Sequence, residues 1–145
     1  VALCKEYENI VGVKEASGNF SAIAQIASLS GGTVDIYSGN DDQTVPMMAL
    51  GAKGVISVAS NILPKVVSEL CALCLKGDFP AASELYFKYA DFFAKMFIDV
   101  NPIPVKTAMN MLGMNVGALR LPLWHMTAEN EAKLRDTLID YGLLK

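Results

Sequence analysis

A lysine closes the apolar run Ile10-Val11-Gly12-Val13-Lys14, and its amine is the one group in that run able to attack a carbonyl. The run reads as a strand buried on both sides, where desolvation penalises an ammonium. A lysine held that way can be neutral enough near pH 7 to condense with a keto group and form a Schiff base. Two plainer readings stand beside it: the head reaches water past the strand end, or it pairs with a carboxylate such as Glu15. Strand alternation puts Ile10, Gly12 and Lys14 on one face and Val11, Val13 and Glu15 on the other. Gly12 is then expected to leave room beside the lysine.

Two further stretches could line a site around it. In Tyr37-Ser38-Gly39-Asn40-Asp41-Asp42, the glycine allows a ligand close to the backbone. Asn40 or Asp41 is expected to cap the following helix, leaving N–H groups suited to a small carboxylate. The Asp41-Asp42 pair is better read as capping and helix-dipole chemistry than as a metal site. In Gly54–Asn61, Ile56 and Ser57 could line a pocket, with core packing the plainer reading. His125, the only histidine, sits between Trp124 and Met126 and is expected to pack. Lys106 is expected at the surface, and the methionines at 47, 48, 109, 111 and 114 as core or interface filler. Cys71 and Cys74 fall inside an apolar helical pattern without a second Cys or His pair. They read as packing in a reduced, cytoplasmic setting, not as a redox or metal motif.

The elements that must position these groups follow from periodicity and punctuation. Residues 1–7 read as the end of a helix, so the chain is expected to begin inside a larger fold. Strands are expected at 10–14, 34–39 and 54–60, each nearly continuous in hydrophobicity, as parallel strands covered by helices are. Helices are expected between them at 20–29 and from about 40 to 51, and Gly31-Gly32 stops the first. Beyond residue 60 the pattern turns helical: 61–76 capped by Ser60 or Asn61, 78–98, 105–112 after the two prolines of Asn101-Pro102-Ile103-Pro104, and 128–141 capped by Thr127. Three βα units followed by a helical segment define an α/β chain. Its division is expected at 1–60, the three strands with their helices, and 61–145, one further helix packed on the strands and a helical C-terminal region.

Composition narrows the function classes. The 145 residues are 52% hydrophobic and 19% charged with a net charge of −3, enough for a real core and too apolar for disorder. Twelve scattered Lys and Arg form no basic stripe, which argues against nucleic acid. No apolar run approaches the roughly 20 residues of a membrane helix.

Taken together, Gly12–Asn19, Tyr37–Asp42, Gly54–Asn61 and the pair Asn101–Lys106 with Leu119–Leu123 resemble the C-terminal half of the dihydrodipicolinate synthases. These belong to the pyruvate-dependent class I aldolases, built on a (β/α)8 TIM barrel. The resemblance implies that this chain supplies strands six to eight of the eight in such a barrel. It implies that Lys14 is the Schiff-base nucleophile, that Gly39 lies near bound pyruvate and that Ile56 lines its pocket. The implied reaction condenses pyruvate with aspartate semialdehyde, without metal or organic cofactor, in a cytoplasmic homo-oligomer. It also implies that the N-terminal half of the barrel, with the carboxylate-binding and proton-relay residues, is needed for activity. A related sugar-acid lyase and a non-catalytic half-barrel assembly module are the alternatives.

Overall fold

The computed structural model describes residues 1–145. A short helix α1 (Ala2–Glu6) leads into strand β1 (Gly12–Glu15), helix α2 (Phe20–Ser30) and strand β2 (Asp35–Ser38). A single 3-10 turn, Asp41–Gln43, precedes helix α3 (Thr44–Ala49), strand β3 (Gly54–Val55) and a second 3-10 turn, Ala59–Asn61. Four helices follow: α4 (Pro64–Leu75), α5 (Phe79–Lys95), α6 (Ile103–Met111) and α7 (Ala128–Asp140).

Local chemistry sets several of these boundaries. Asn19 caps α2 by accepting from the Ala22 amide at 3.1 Å, and Gly31, at φ +58°, ends it in the left-handed region. Asp78 accepts from the Ala81 amide at 3.2 Å and Thr127 from the Asn130 amide at 3.3 Å, starting α5 and α7. The expected cap of α4 does not form. Asn61 donates instead to the Val58 carbonyl at 2.9 Å and Ser60 to the Ser57 carbonyl at 3.2 Å, because both are used inside the second 3-10 turn. Leu63 occupies the cap position, and Pro64, whose missing N–H costs nothing at a helix start, opens α4. Helix α6 begins at Ile103, two residues before the expected start, with Pro104 in its first turn.

The three strands form one parallel sheet in the order β1-β2-β3. Val13 pairs with Ile36 and Ser38 with Val55, and the apolar members of these pairs face the helices. Lys14 pairs with Tyr37 and Tyr37 with Gly54 on the opposite face. The core lies on the helical side, where Ile23, Ile36, Met47, Phe92, Phe93, Leu134 and Leu138 are all buried. Each such side chain contributes about 1.5–3 kcal/mol of burial free energy. Met47 and Met48 belong to this core and Met109 and Met111 pack against it, whereas Met114 is 47% exposed.

Two expectations about the sheet are corrected. The third strand is not 54–60 but two residues, extended by one ladder bond from the Ile56 amide to the Ser38 carbonyl at 2.8 Å. The Ser57 hydroxyl then turns to Asp41, and the backbone curls into the 3-10 turn. The run around Lys14 is also not buried on both sides. Val11, just before β1, is 66% exposed, and Lys14 is exposed because the helices cover only the opposite face of the sheet.

Candidate active site

The carboxyl ends of the three parallel strands bring Lys14, Gly39 and Ile56 to one edge of the sheet. Lys14 is the penultimate residue of β1. Gly39 follows β2 directly, and its amide donates to the Glu15 carbonyl at 2.7 Å, fastening the β2 turn to the end of β1. A Cβ at Gly39 would stand 2.6 Å from Ala16 Cβ, 3.0 Å from Lys14 Cε and 3.1 Å from the Glu15 carbonyl. Glycine is therefore required by close approach, and the stem of Lys14 lies against it. Ile56 leaves β3 at the same level and is 49% exposed.

The Lys14 amine has no carboxylate partner. The two ion pairs of the structure are Lys95 with Asp91 and Lys133 with Glu129, both one helical turn apart. Glu15 is turned to its own loop, its Oε1 accepting from the Ser17 amide at 3.0 Å. This removes the pairing with Glu15 and leaves an unpaired amine open to solvent at a strand end. Gly12 plays a different part from the one expected. Its Cβ would meet the Asp35 carbonyl at 2.5 Å, so it lets β1 and β2 approach and does not make room for the lysine.

The turn after β2 is built otherwise than its composition suggests. Neither Asn40 nor Asp41 caps the helix that follows it. Asn40 donates through Nδ2 to the Ala16 carbonyl and to Gln43 Oε1, each at 3.3 Å, and its backbone amide donates to Ser38 Oγ at 3.2 Å. Asp41 is 2% exposed, and its carboxylate accepts from the Val58 and Ala59 amides, both at 3.0 Å, and from the Ser57 hydroxyl. Only Asp42 remains in solvent. No group of three or more His, Cys, Asp and Glu is gathered in a way that could hold a metal ion.

Among the remaining residues singled out in the sequence, Cys71 turns its thiol towards β3, 4.0 Å from where a Cβ at Gly54 would stand. Cys71 and Cys74 are free thiols on α4. Burial pushes the Cys71 thiol up, Cys74 beside it adds to the shift, and burial likewise raises Cys74. His125 is exposed, not packed, and meets the 67% exposed Trp124 edge-on at 5.1 Å between ring centres. Lys106 is half-buried and donates to the Ala118 carbonyl at 2.7 Å, while Asn110 one turn on holds the Val116 amide at 2.9 Å. These two side chains pin the irregular segment between α6 and α7. The Asp41 bonds, spanning 16 to 18 residues, were the feature of the site that local pattern did not reveal.

Parallel strands alternating with helices, with an accessible lysine at a strand's carboxyl end, are the arrangement found in segments of α/β barrels. The model of the dihydrodipicolinate synthetase family matches residues 1–140, and the chain belongs to that family. It is 49% identical over 143 residues to a 4-hydroxy-tetrahydrodipicolinate synthase of Thermoanaerobacter sp. strain X514, covering 99% of this chain and 48% of the relative. The crystal structure of dihydrodipicolinate synthase from Aquifex aeolicus superposes with a TM-score of 0.95 at 50% identity, over 98% of this chain and 48% of that one. A chloride-inhibited dihydrodipicolinate synthase from Acinetobacter baumannii, crystallised with pyruvate, gives 0.88 at 38% identity over 94% of this chain and 47% of that one. The chain spans about half the length of the curated relatives it matches, the C-terminal half.

Proposed function

We propose that this chain supplies the Schiff-base half of a 4-hydroxy-tetrahydrodipicolinate synthase, with Lys14 as the nucleophile, and that Gly39 and Ile56 line the place where pyruvate sits. The observation that carries the reading is the unpaired, solvent-open Lys14 amine with its stem against Gly39 at the ends of parallel strands. The family membership and the pyruvate-bound relative support the choice of keto acid.

The chemistry then runs through this amine. The neutral Lys14 nitrogen adds to the C2 carbonyl of pyruvate, forming a C–N bond, and the carbonyl oxygen leaves as water to give an iminium ion. The cationic nitrogen acidifies the C3 methyl group, and loss of one proton yields an enamine. In the full reaction the enamine carbon attacks the aldehyde of aspartate semialdehyde, and the amino group of that substrate closes the ring as Lys14 is released. Proton transfer to and from these intermediates needs a positioned acid–base relay, which the family resemblance assigns to the N-terminal half of the barrel, so that half is required for turnover. Residues 1–60 form the last three barrel strands with their helices, and 61–145 the last barrel helix with a helical C-terminal region. The working form is a cytoplasmic homo-oligomer; no helix is long and apolar enough to cross a membrane.

The test is reductive trapping. The chain is incubated with pyruvate, reduced with borohydride and mapped by intact mass and peptide analysis, alone and together with the N-terminal half of a relative. A pyruvate-sized secondary-amine adduct on Lys14, lost in Lys14→Ala, is expected. No adduct on Lys14 under either condition refutes the assignment.

A further inference from the structure

The carboxylate of Asp41 is the most buried charged group near the strand ends, and no cation neutralises it: neither ion pair of the structure includes it. A buried carboxylate without a counter-ion persists only where hydrogen bonds take over the role of water. Asp41 has three, and all come from one short segment of another loop: the Ser57 hydroxyl, the Val58 amide and the Ala59 amide. That segment starts directly after Ile56. Asp41 itself stands two residues after Gly39.

The surroundings make the lock rigid on both sides. On the β2 side, the Ser38 hydroxyl donates to the Asn40 carbonyl at 2.8 Å and the Thr44 hydroxyl to the Asp41 carbonyl at 2.9 Å. On the β3 side, Ser57 Oγ accepts from the Ser60 amide at 2.8 Å, so the hydroxyl that donates to Asp41 is itself held. The ladder between β2 and β3 cannot fix this spacing unaided, because β3 is two residues long.

We propose that Asp41 is a positioning residue for the Lys14 site: its carboxylate clamps the loop after β3 to the turn after β2 and thereby fixes Ile56 beside Gly39, which in the strand order stands between it and the lysine. The role rests on the Schiff-base reading of Lys14. Asp41 touches no reacting atom in it. Its effect is on the width and shape of the space that receives the keto acid.

The test compares Asp41→Ala, Asp41→Asn and Ser57→Ala with Thr137→Val in the whole chain. Thr137 is an equally buried hydroxyl, 3% exposed, that bonds only within α7 to the Lys133 carbonyl at 3.0 Å. Amide exchange is read at Val58 and Ala59, and borohydride trapping is measured against pyruvate concentration and pH, with the N-terminal half of a relative present. Asp41→Ala is expected to speed exchange at both amides and to raise the half-saturating pyruvate concentration on the order of ten- to a hundredfold, the scale on which small misplacements act. The pH profile of trapping is expected to stay that of the wild type. Asp41→Asn keeps an oxygen for the amides and should fall between, as should Ser57→Ala, which removes one bond of three; these two carry the test if the alanine variant does not fold. Pyruvate dependence and exchange no different from Thr137→Val would overturn the positioning role alone. A wild type that traps no pyruvate on Lys14 would overturn the Schiff-base reading, and this role with it.

Discussion

Substituting Gly39 by alanine should damage the site directly. The added methyl would stand 2.6 Å from Ala16 Cβ, 3.0 Å from Lys14 Cε and 3.1 Å from the Glu15 carbonyl. The lysine stem can swing away, but Ala16 Cβ and the Glu15 carbonyl ride on backbone. That backbone is in turn held by the 2.7 Å bond from the Gly39 amide to Glu15. Relief therefore requires β1 and the β2 turn to part, at the cost of about 1–3 kcal/mol typical of overpacking. It also displaces Lys14 from the position where its amine would meet the keto acid. Gly54→Ala is the matched comparison, since its Cβ would meet nothing closer than Tyr37 at 3.8 Å, an ordinary contact. Urea denaturation of both variants, with borohydride trapping of pyruvate at Lys14, reads the two effects together. Gly39→Ala should lose stability by that amount and trapping by at least about tenfold, with Gly54→Ala close to wild type in both. A Gly39→Ala chain that traps pyruvate at the wild-type rate would refute the claim that this glycine serves Lys14.

Other consequences are open to measurement. Phe92→Ala, which empties a fully buried position in the core, should cost about 3–5 kcal/mol by chemical denaturation. Asp78→Ala removes the acceptor at the start of α5 and should cost about 1 kcal/mol, with Asp78→Asn recovering most of it. The raised Cys71 and Cys74 thiols keep their protons in the folded chain while the unfolded chain loses them near pH 8.5, an ordinary thiol value of about that size. The folded state then binds more protons, so stability is full below that pH and declines as pH rises through it towards the folded thiols' higher values. Urea titrations from pH 7 to 10 should show this decline, and replacing both cysteines by alanine should flatten it.

Much of the fold was legible because its signals are local. The turn residues before α2, Asp78 before α5 and Thr127 before α7 act within three residues of where they stand, so composition alone placed those helix starts. The parallel strands announced themselves by continuous apolar runs. Lys14, Gly39 and Ile56 stood out by residue type and position and drew their roles from a resemblance, and the structure places all three at one edge of the sheet, with Gly39 against Lys14. What sequence misjudged was long-range. Asp41 looked like a cap because carboxylates often cap, whereas its partners lie 16 to 18 residues on. Those same bonds drew Ser57 out of the strand and shortened β3. The burial expected around Lys14 assumed cover on both faces of the sheet, and the helices supply only one.

The Asp41 clamp addresses its partner loop mostly through main-chain amides. Every residue type except proline offers an N–H, so the hold does not depend on the side chains at 58 and 59; what limits those is packing, since Ala59 is fully buried in the core. Position 41 has no such freedom, since its carboxylate must reach two amides and a hydroxyl at once. The two ends of one interaction therefore carry different demands: the aspartate is held to its side chain, whereas the two amides facing it are held only to their place in the backbone. Proline at 58 or 59 is the one exchange on the far side that would open the clamp.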